Sequence, residues 1–182
     1  MKGEGKARIL RFEPGEGRRI LAVSDIHGNL PYLRGLLEKA GFCGEDELII
    51  DGDFLEKGPE SLNTLHYVMA LCQKGNCHVV CGNCDDWDII YNTDDPDTEA
   101  MLHRYVLSKS VGLVREMCAA QGIDPASGMS FREIKQKLKA AYSEEWAFLA
   151  SLPHAIETEK FIFAHGGCVP GLPLEEHTAG QL

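Results

Sequence analysis

The chain has 182 residues, 44% hydrophobic and 25% charged, enough for one domain with a sizeable core. Its net charge of −10, with Lys and Arg scattered, argues against a protein built to grip nucleic acid, because phosphate backbones are held by clustered cations. No stretch approaches the roughly 18 apolar residues of a spanning helix, so no membrane partner is expected, and seven cysteines with no apolar leader before them are expected to be reduced thiols in a cytoplasmic protein.

Residues 1–6, rich in Gly, Lys and Glu, read as a frayed terminus. Residues 7–12 alternate like a strand, and Pro14-Gly-Glu-Gly17 is a turn signal expected to fold that strand back on Arg19-Ile-Leu-Ala-Val23. The second run is nearly continuous in apolar residues, as in a buried parallel strand. Asn29 is placed to cap a helix with Pro31 in its first turn, with Leu33, Leu36, Leu37 and Ala40 at helical spacing and Gly41 as its stop. Glu47-Leu-Ile-Ile50 is the next strand. Ser61 is expected to cap a helix carrying Leu62, Leu65, Val68, Met69 and Cys72, and His78-Val-Val-Cys81 is a third strand. Strand, helix, strand, helix, strand implies crossover units and a mostly parallel sheet. Residues 97–152 then turn helical, with helices expected at 97–121, 130–141 and 143–151. Residues 155–164 return to strand, as a hairpin turning near Glu159-Lys160.

Polar residues that carry chemistry follow the strands directly, where open α/β sheets bind ligands. Asp25-Ile-His-Gly-Asn29 places a carboxylate and an imidazole two residues apart; on extended backbone they project the same way and can chelate one ion. Asp53, reached from a buried strand through Gly52, offers two oxygens, able to bridge cations about 3.5 to 4 Å apart. Gly82-Asn-Cys-Asp85 closes the third strand, and Ala164-His-Gly-Gly167 a fourth. Each motif alone is also an ordinary surface turn; four in a row, each ending an apolar run, are not. Cys81-Gly-Asn-Cys84 with Cys72 and Cys77 could be read as a thiolate zinc site, but Cys72 on an apolar helix face and Cys81 within a strand pattern read better as core residues.

Asp25-Ile-His-Gly-Asn, Gly52-Asp-Phe-Leu-Glu-Lys-Gly-Pro-Glu-Ser, Gly82-Asn-Cys-Asp and His165-Gly-Gly-Cys-Val-Pro resemble the ordered motifs of the calcineurin-like metallophosphoesterases, especially the bacterial serine/threonine protein phosphatase-like branch. The segment 169–176 is also similar to the stretch just after the histidine motif in symmetrical dinucleoside tetraphosphatases. The resemblance implies an α/β fold, a β-sandwich flanked by helices, formed by a single domain over residues 1–182 with residues 97–152 as a helical cap insertion. It implies two divalent ions, manganese first and iron or zinc otherwise. Asp25 and His27 would bind the first ion, Asp53 would bridge both, and Asn83 and His165 would bind the second. Asp53, Cys84 and Asp85 would serve catalysis, with Lys57 and Asn83 binding the phosphate of a phosphoprotein or small phosphoester. The implied activity is phosphate monoester hydrolysis of the serine/threonine phosphatase kind. The alternatives are a dinucleoside polyphosphate hydrolase or phosphodiesterase, or a catalytically dead, truncated binding module.

Three departures bear on that choice. Cys84 stands where many members have a histidine that protonates the leaving oxygen, and a thiol is a weaker acid than an imidazolium. Lys57 stands for an arginine and Glu56 for an aspartate, which exchanges a bidentate fork for a point charge. The family's further Gly-His motif has no counterpart before Leu182, so the C-terminal part of the fold is expected to be missing.

Overall fold

A computed structural model describes residues 5–87, 94–108 and 112–182. Strands β1 (Ile9–Arg11), β2 (Ile20–Val23), β3 (Glu47–Asp51), β4 (Cys77–Val80), β5 (Ala155–Glu157) and β6 (Ile162–Phe163) alternate with helices α1 (Leu30–Ala40), α2 (Ser61–Cys72), α3 (Pro96–Leu107), α4 (Gly112–Ala120), α5 (Phe131–Ala141) and α6 (Ser143–Ser151). A 3-10 turn, Leu174–Glu176, comes after them. None of these helices is long and apolar enough to cross a membrane.

The strands form two sheets, β2-β3-β4, all parallel, and β1-β5-β6. Strand alternation sorts the core. Leu48 and Ile50 of β3 join Leu33, Leu65 and Val68 on the helix side, whereas Ile49 points the other way, to Val80 of its own sheet and Ile156 of the opposite one, with Phe12, Ile20 and Phe163 around them. This second cluster is the interior of a β-sandwich. The same alternation sends Ala155 outward, onto Leu174 and Leu182.

The turn at 14–17 does not fold β1 back on β2. β1 lies parallel to β5 instead, with Ile9 opposite Ala155, so the turn carries the chain from one sheet to the other, where Phe12 and Ile20 can both pack between them. Residues 1–4 lie outside the described residues, but Gly5 and Lys6 are held: Lys6 bridges Thr178 and Gly5 accepts from the Ala179 N–H. The hairpin at 155–164 is as expected, with Ile156 opposite Phe163. Its turn is closed by the Thr158 hydroxyl, which accepts from the Phe161 N–H.

Two caps differ from expectation. Asn29 stands at the N-cap of α1, but its amide donates to the carbonyls of Ile26 and His27. Ser61 is the first residue of α2, not its cap, and its hydroxyl accepts from the Glu56 N–H. The expected helix at 97–121 is two helices, α3 and α4, with residues 109–111 outside the described residues. The helices at 130–141 and 143–151 are as expected; Ser130 and Glu133 form a full capping box at the start of α5. Leu113, Met117, Ile134, Leu138 and Trp146 of this helical segment belong to the same core as β3 and α2. This helical segment thus extends the main core.

Candidate active site

The loops after β2, β3, β4 and β6 meet at one edge of the sandwich. The first two run on side by side past the strands: the N–H groups of Asp25, His27 and Gly28 donate to the carbonyls of Gly52, Asp53 and Phe54 at 3.1, 2.9 and 2.8 Å. Glycine is required where the loops touch. A Cβ on Gly52, whose φ is 76°, would lie 2.6 Å from the His165 ring, and one on Gly82 would lie 2.2 Å from the Asp53 nitrogen.

Asp25, His27, Asp53, Glu56 and Lys57 have φ between 49° and 64°, and they are the non-glycine residues at positive φ among the described residues. Their clustering in two loops marks a functional site, since such backbone persists only where the surroundings over-determine it. It also corrects one step of the sequence reading. Asp25 and His27 do meet, with His27 Nε2 3.5 Å from Asp25 Oδ1, but through two left-handed residues and not through an extended strand.

Asp53 is the hub. Its buried carboxylate has Oδ2 3.8 Å from both His27 Nε2 and Lys57 Nζ, and Oδ1 3.4 Å from His165 Nε2. Oδ1 also accepts from the Cys84 N–H at 2.8 Å. Burial alone would raise its pKa; the Cys84 contacts and the two imidazoles outweigh it and hold the carboxyl below its ordinary value. Two donor groups share this residue, His27 with Asp53 and Cys84, and Asp25 with Asp53 and His165, the atoms of each within 4.8 Å of one another.

These groups suit divalent cations. His27 Nδ1 lies 3.2 Å from the Leu55 carbonyl and His165 Nδ1 2.8 Å from the Asp51 carbonyl. A carbonyl only accepts, so each Nδ1 is the donor, and in the neutral ring that a metal would bind Nε2 would carry its lone pair toward Asp53, as in metal-binding histidines oriented by a backbone partner. Asp51, which the sequence reading passed over, adds a buried Oδ1 with no hydrogen-bond partner among the described residues. Its pKa is raised, first by burial and then by Asp25, against the opposing effect of His165.

The remaining expected residues divide. Lys57 Nζ sits 3.0 Å from His27 Nε2, an exposed cation at the rim. Cys84 lies against Asp53, and burial, followed by its hydrogen bond to Asp53, pushes the thiol up to about 12. Asn83 is exposed and its amide donates to Cys84 Sγ at 3.4 Å. Asp85 does not reach the site. It is fully buried, and its two oxygens accept from the N–H groups of Leu55 at 3.1 Å and Gly82 at 3.0 Å, so it braces the second loop against the third. Burial pushes its carboxyl up to about 7. Among the described residues neither donor group includes Cys72, Cys77 or Cys81, which are core side chains. His177 is buried, with Nε2 accepting from the Val169 N–H and Nδ1 bonded to the Pro173 carbonyl.

An exchange of carboxylates beside the site has no signature in the sequence. Glu56 accepts from the Gly112 and Leu113 N–H groups at the start of α4, while Glu116 of α4 accepts from the Ser61 and Leu62 N–H groups at the start of α2, at 2.9 and 2.8 Å. Burial raises the Glu56 pKa, with the Gly112 and Leu113 N–H groups opposing it.

A family model described as calcineurin-like phosphoesterase matches residues 18–178. The chain is 43% identical over 65 residues to a symmetrical bis(5'-nucleosyl)-tetraphosphatase of Erwinia tasmaniensis, a match covering 35% of this chain and 23% of that protein. It is 29% identical over 150 residues to the enzyme of the same name from Pseudomonas putida, covering 82% of this chain and 42% of that one. The chain thus spans less than half the length of these curated relatives. Two solved structures share the fold. One, described as a candidate diadenosine tetraphosphatase, has a TM-score of 0.57 at 24% identity, covering 93% of this chain and 59% of its own. The other, a protein serine/threonine phosphatase from Saccharomyces cerevisiae, has a TM-score of 0.53 at 17% identity, covering 90% and 43%.

Proposed function

Because this chain belongs to the calcineurin-like phosphoesterases, we propose that it is a metal-dependent hydrolase acting on a dinucleoside polyphosphate in the cytoplasm. The observation that carries the substrate choice is Cys84, a thiol where a stronger acid would be needed to protonate an alkoxide. A leaving nucleoside phosphate has a pKa of about 6 and departs unprotonated, whereas a serine alkoxide resembles hydroxide, whose parent water has a pKa of about 15.7. A site with a weak acid beside Asp53 therefore suits cleavage of an anhydride better than dephosphorylation of a protein. The names of the Erwinia and Pseudomonas relatives support the same reading, which replaces the serine/threonine phosphatase expectation as the leading one.

Two divalent ions, when bound, would lower the pKa of a water and neutralise charge on the phosphoryl oxygens. His27 and Asp53, with Asp25 3.5 Å from His27 Nε2, would hold one ion, and Asp53 and His165, with the exposed Asn83, the other; Asp25, which is also grouped with Asp53 and His165, stands within reach of both. Carboxylate and imidazole donors suit manganese, iron or zinc, and manganese is the first choice. Lys57, a point charge 3.8 Å from Asp53, would steady the phosphate. Cys84 Sγ, packed on Asp53, would supply a proton only when the leaving group needs one. Asp85 acts earlier, by fixing the backbone that presents Asp53.

The test is a comparison of turnover with added manganese on diadenosine tetraphosphate, a phosphoserine peptide and nitrophenyl phosphate, together with metal analysis. Faster turnover of the dinucleotide supports the proposal. Faster turnover of the peptide would restore the protein phosphatase reading, and one bound ion or none, with no turnover on any substrate, would favour a binding module.

A further inference from the structure

The phosphate-binding cation of the proposed site stands on a turn that cannot hold itself. Glu56 and Lys57 are both left-handed, with φ of 64° and 63°, a conformation disfavoured by about 1–2 kcal/mol per residue outside glycine and asparagine. Among the described residues, the one backbone bond made within the turn is the short closure from the Gly58 N–H to the Glu56 carbonyl, 2.7 Å. Three further N–H groups are held from outside: Leu55 by Asp85, Glu56 by the Ser61 hydroxyl, and Glu60 by the Gly28 carbonyl.

The Glu56 side chain leaves the site and caps α4, and Glu116 of α4 returns across the gap and caps α2. Each helix has its N-terminal N–H groups met by a carboxylate supplied from next to the other, where anions are favoured. Ser61 lies at the centre, fully buried, giving its N–H to Glu116 and receiving that of Glu56. The contact is close-packed, since a Cβ on Gly112 would come 3.2 Å from the Ser61 hydroxyl and 3.4 Å from Glu56.

We propose that Glu116 is a positioning residue for the phosphate site, stapling the strained turn that bears Lys57 to the helical insertion through α2, Ser61 and Glu56. The insertion then has a part in substrate binding without touching the substrate. The role assigned to Lys57 rests on the reading of the site as a phosphohydrolase; the staple does not. Loosening the turn should misplace Lys57 in substrate and transition-state complexes alike, which raises KM more than it lowers kcat.

Hydrogen–deuterium exchange and kinetics on the full chain test both parts. In Glu116→Ala the amides of residues 54–60 are expected to exchange about tenfold faster or more, with KM for diadenosine tetraphosphate up about tenfold, kcat within about threefold and manganese affinity unchanged. Ser130→Ala, which removes the capping box of α5, is the control for general destabilisation and should leave those amides and KM alone. Glu116→Gln, which keeps the volume and one acceptor oxygen, should give a smaller change at the same amides and serves if the alanine variant does not fold. Unchanged exchange at 54–60, or equal acceleration in Ser130→Ala, overturns the staple. Faster exchange in a protein whose wild type hydrolyses nothing sustains the staple and overturns the phosphohydrolase reading.

Discussion

Replacing Asp53 with Asn separates a bridging carboxylate from an ordinary ligand. Asp53 is common to both donor groups, whereas Asp25 belongs to one of them and Cys84 to the other. Loss of a partner outside the direct ligand set typically weakens metal binding by about 10- to 100-fold, so loss of a shared direct ligand should cost about 100-fold or more for each of two ions, about 2.7 kcal/mol apiece. The metal-free protein should be little disturbed. Asn can keep an oxygen toward the Cys84 N–H, now 2.8 Å from Oδ1, and it relieves the desolvation of a buried charge; a net change within about 1 kcal/mol is expected. Calorimetric titration with manganese, beside thermal melts of the metal-free variants, reads both quantities. Asp53→Asn should weaken both binding events, and Asp25→Asn mainly one. If Asp53→Asn takes up two ions as tightly as the wild type and turns over normally, the hub assignment is wrong and the pairing of loops around it must be reconsidered.

The same geometry carries other expectations. Ile49→Ala, at a fully buried position between the two sheets, should cost about 2–5 kcal/mol in denaturant unfolding, more than any exposed residue of α1. Ser130→Ala should cost about 1 kcal/mol by loss of its capping box, with metal content unaffected. Cys84→His should leave two ions bound while raising the rate on a phosphoserine peptide, whose leaving alkoxide needs a proton, relative to diadenosine tetraphosphate; an unchanged ratio would remove Cys84 from the leaving-group step. A chelator should lower the melting temperature, because metal at about 100 times its dissociation constant adds about 2.7 kcal/mol to the folded state. An identical melt with and without chelator would argue against resident metal.

The parallel half of the fold was legible because β2, β3 and β4 are each a short apolar run stopped by a polar motif, with helical spacing between them. Of the other sheet only the β5-β6 hairpin was, since β1 finds its partner in β5, and nothing local to residues 7–12 distinguishes that pairing from a hairpin with β2. Asp25, His27, Asp53 and His165, which the structure brings together, could be picked out because their residue types and positions after strands suit metal chemistry. Asp85 was expected to serve catalysis from its place in the Gly82-Asn-Cys-Asp85 motif, and only the packing of two loops shows both its oxygens bonded to backbone. Glu56 and Glu116 are separated by a stretch of chain whose path periodicity does not reveal, so their exchange depends on how α2 and α4 dock. Gly28 and Gly52 announced left-handed backbone. Asp25, His27 and Asp53 did not, for there the tertiary structure overrides the side chain's own preference.

The five left-handed side chains also set a limit on improving this protein. A stability screen would find Lys57 first, because glycine at that exposed position relieves a disfavoured conformation worth about 1 kcal/mol or more, whereas glycine at Glu56 would lose the buried bonds to α4. Such a gain would be drawn from the residue proposed to steady the phosphate. Variants selected for heat resistance alone should therefore drift toward a sturdier chain that has lost its ligands, and selection must include metal uptake to keep the loops around Asp53 as they are.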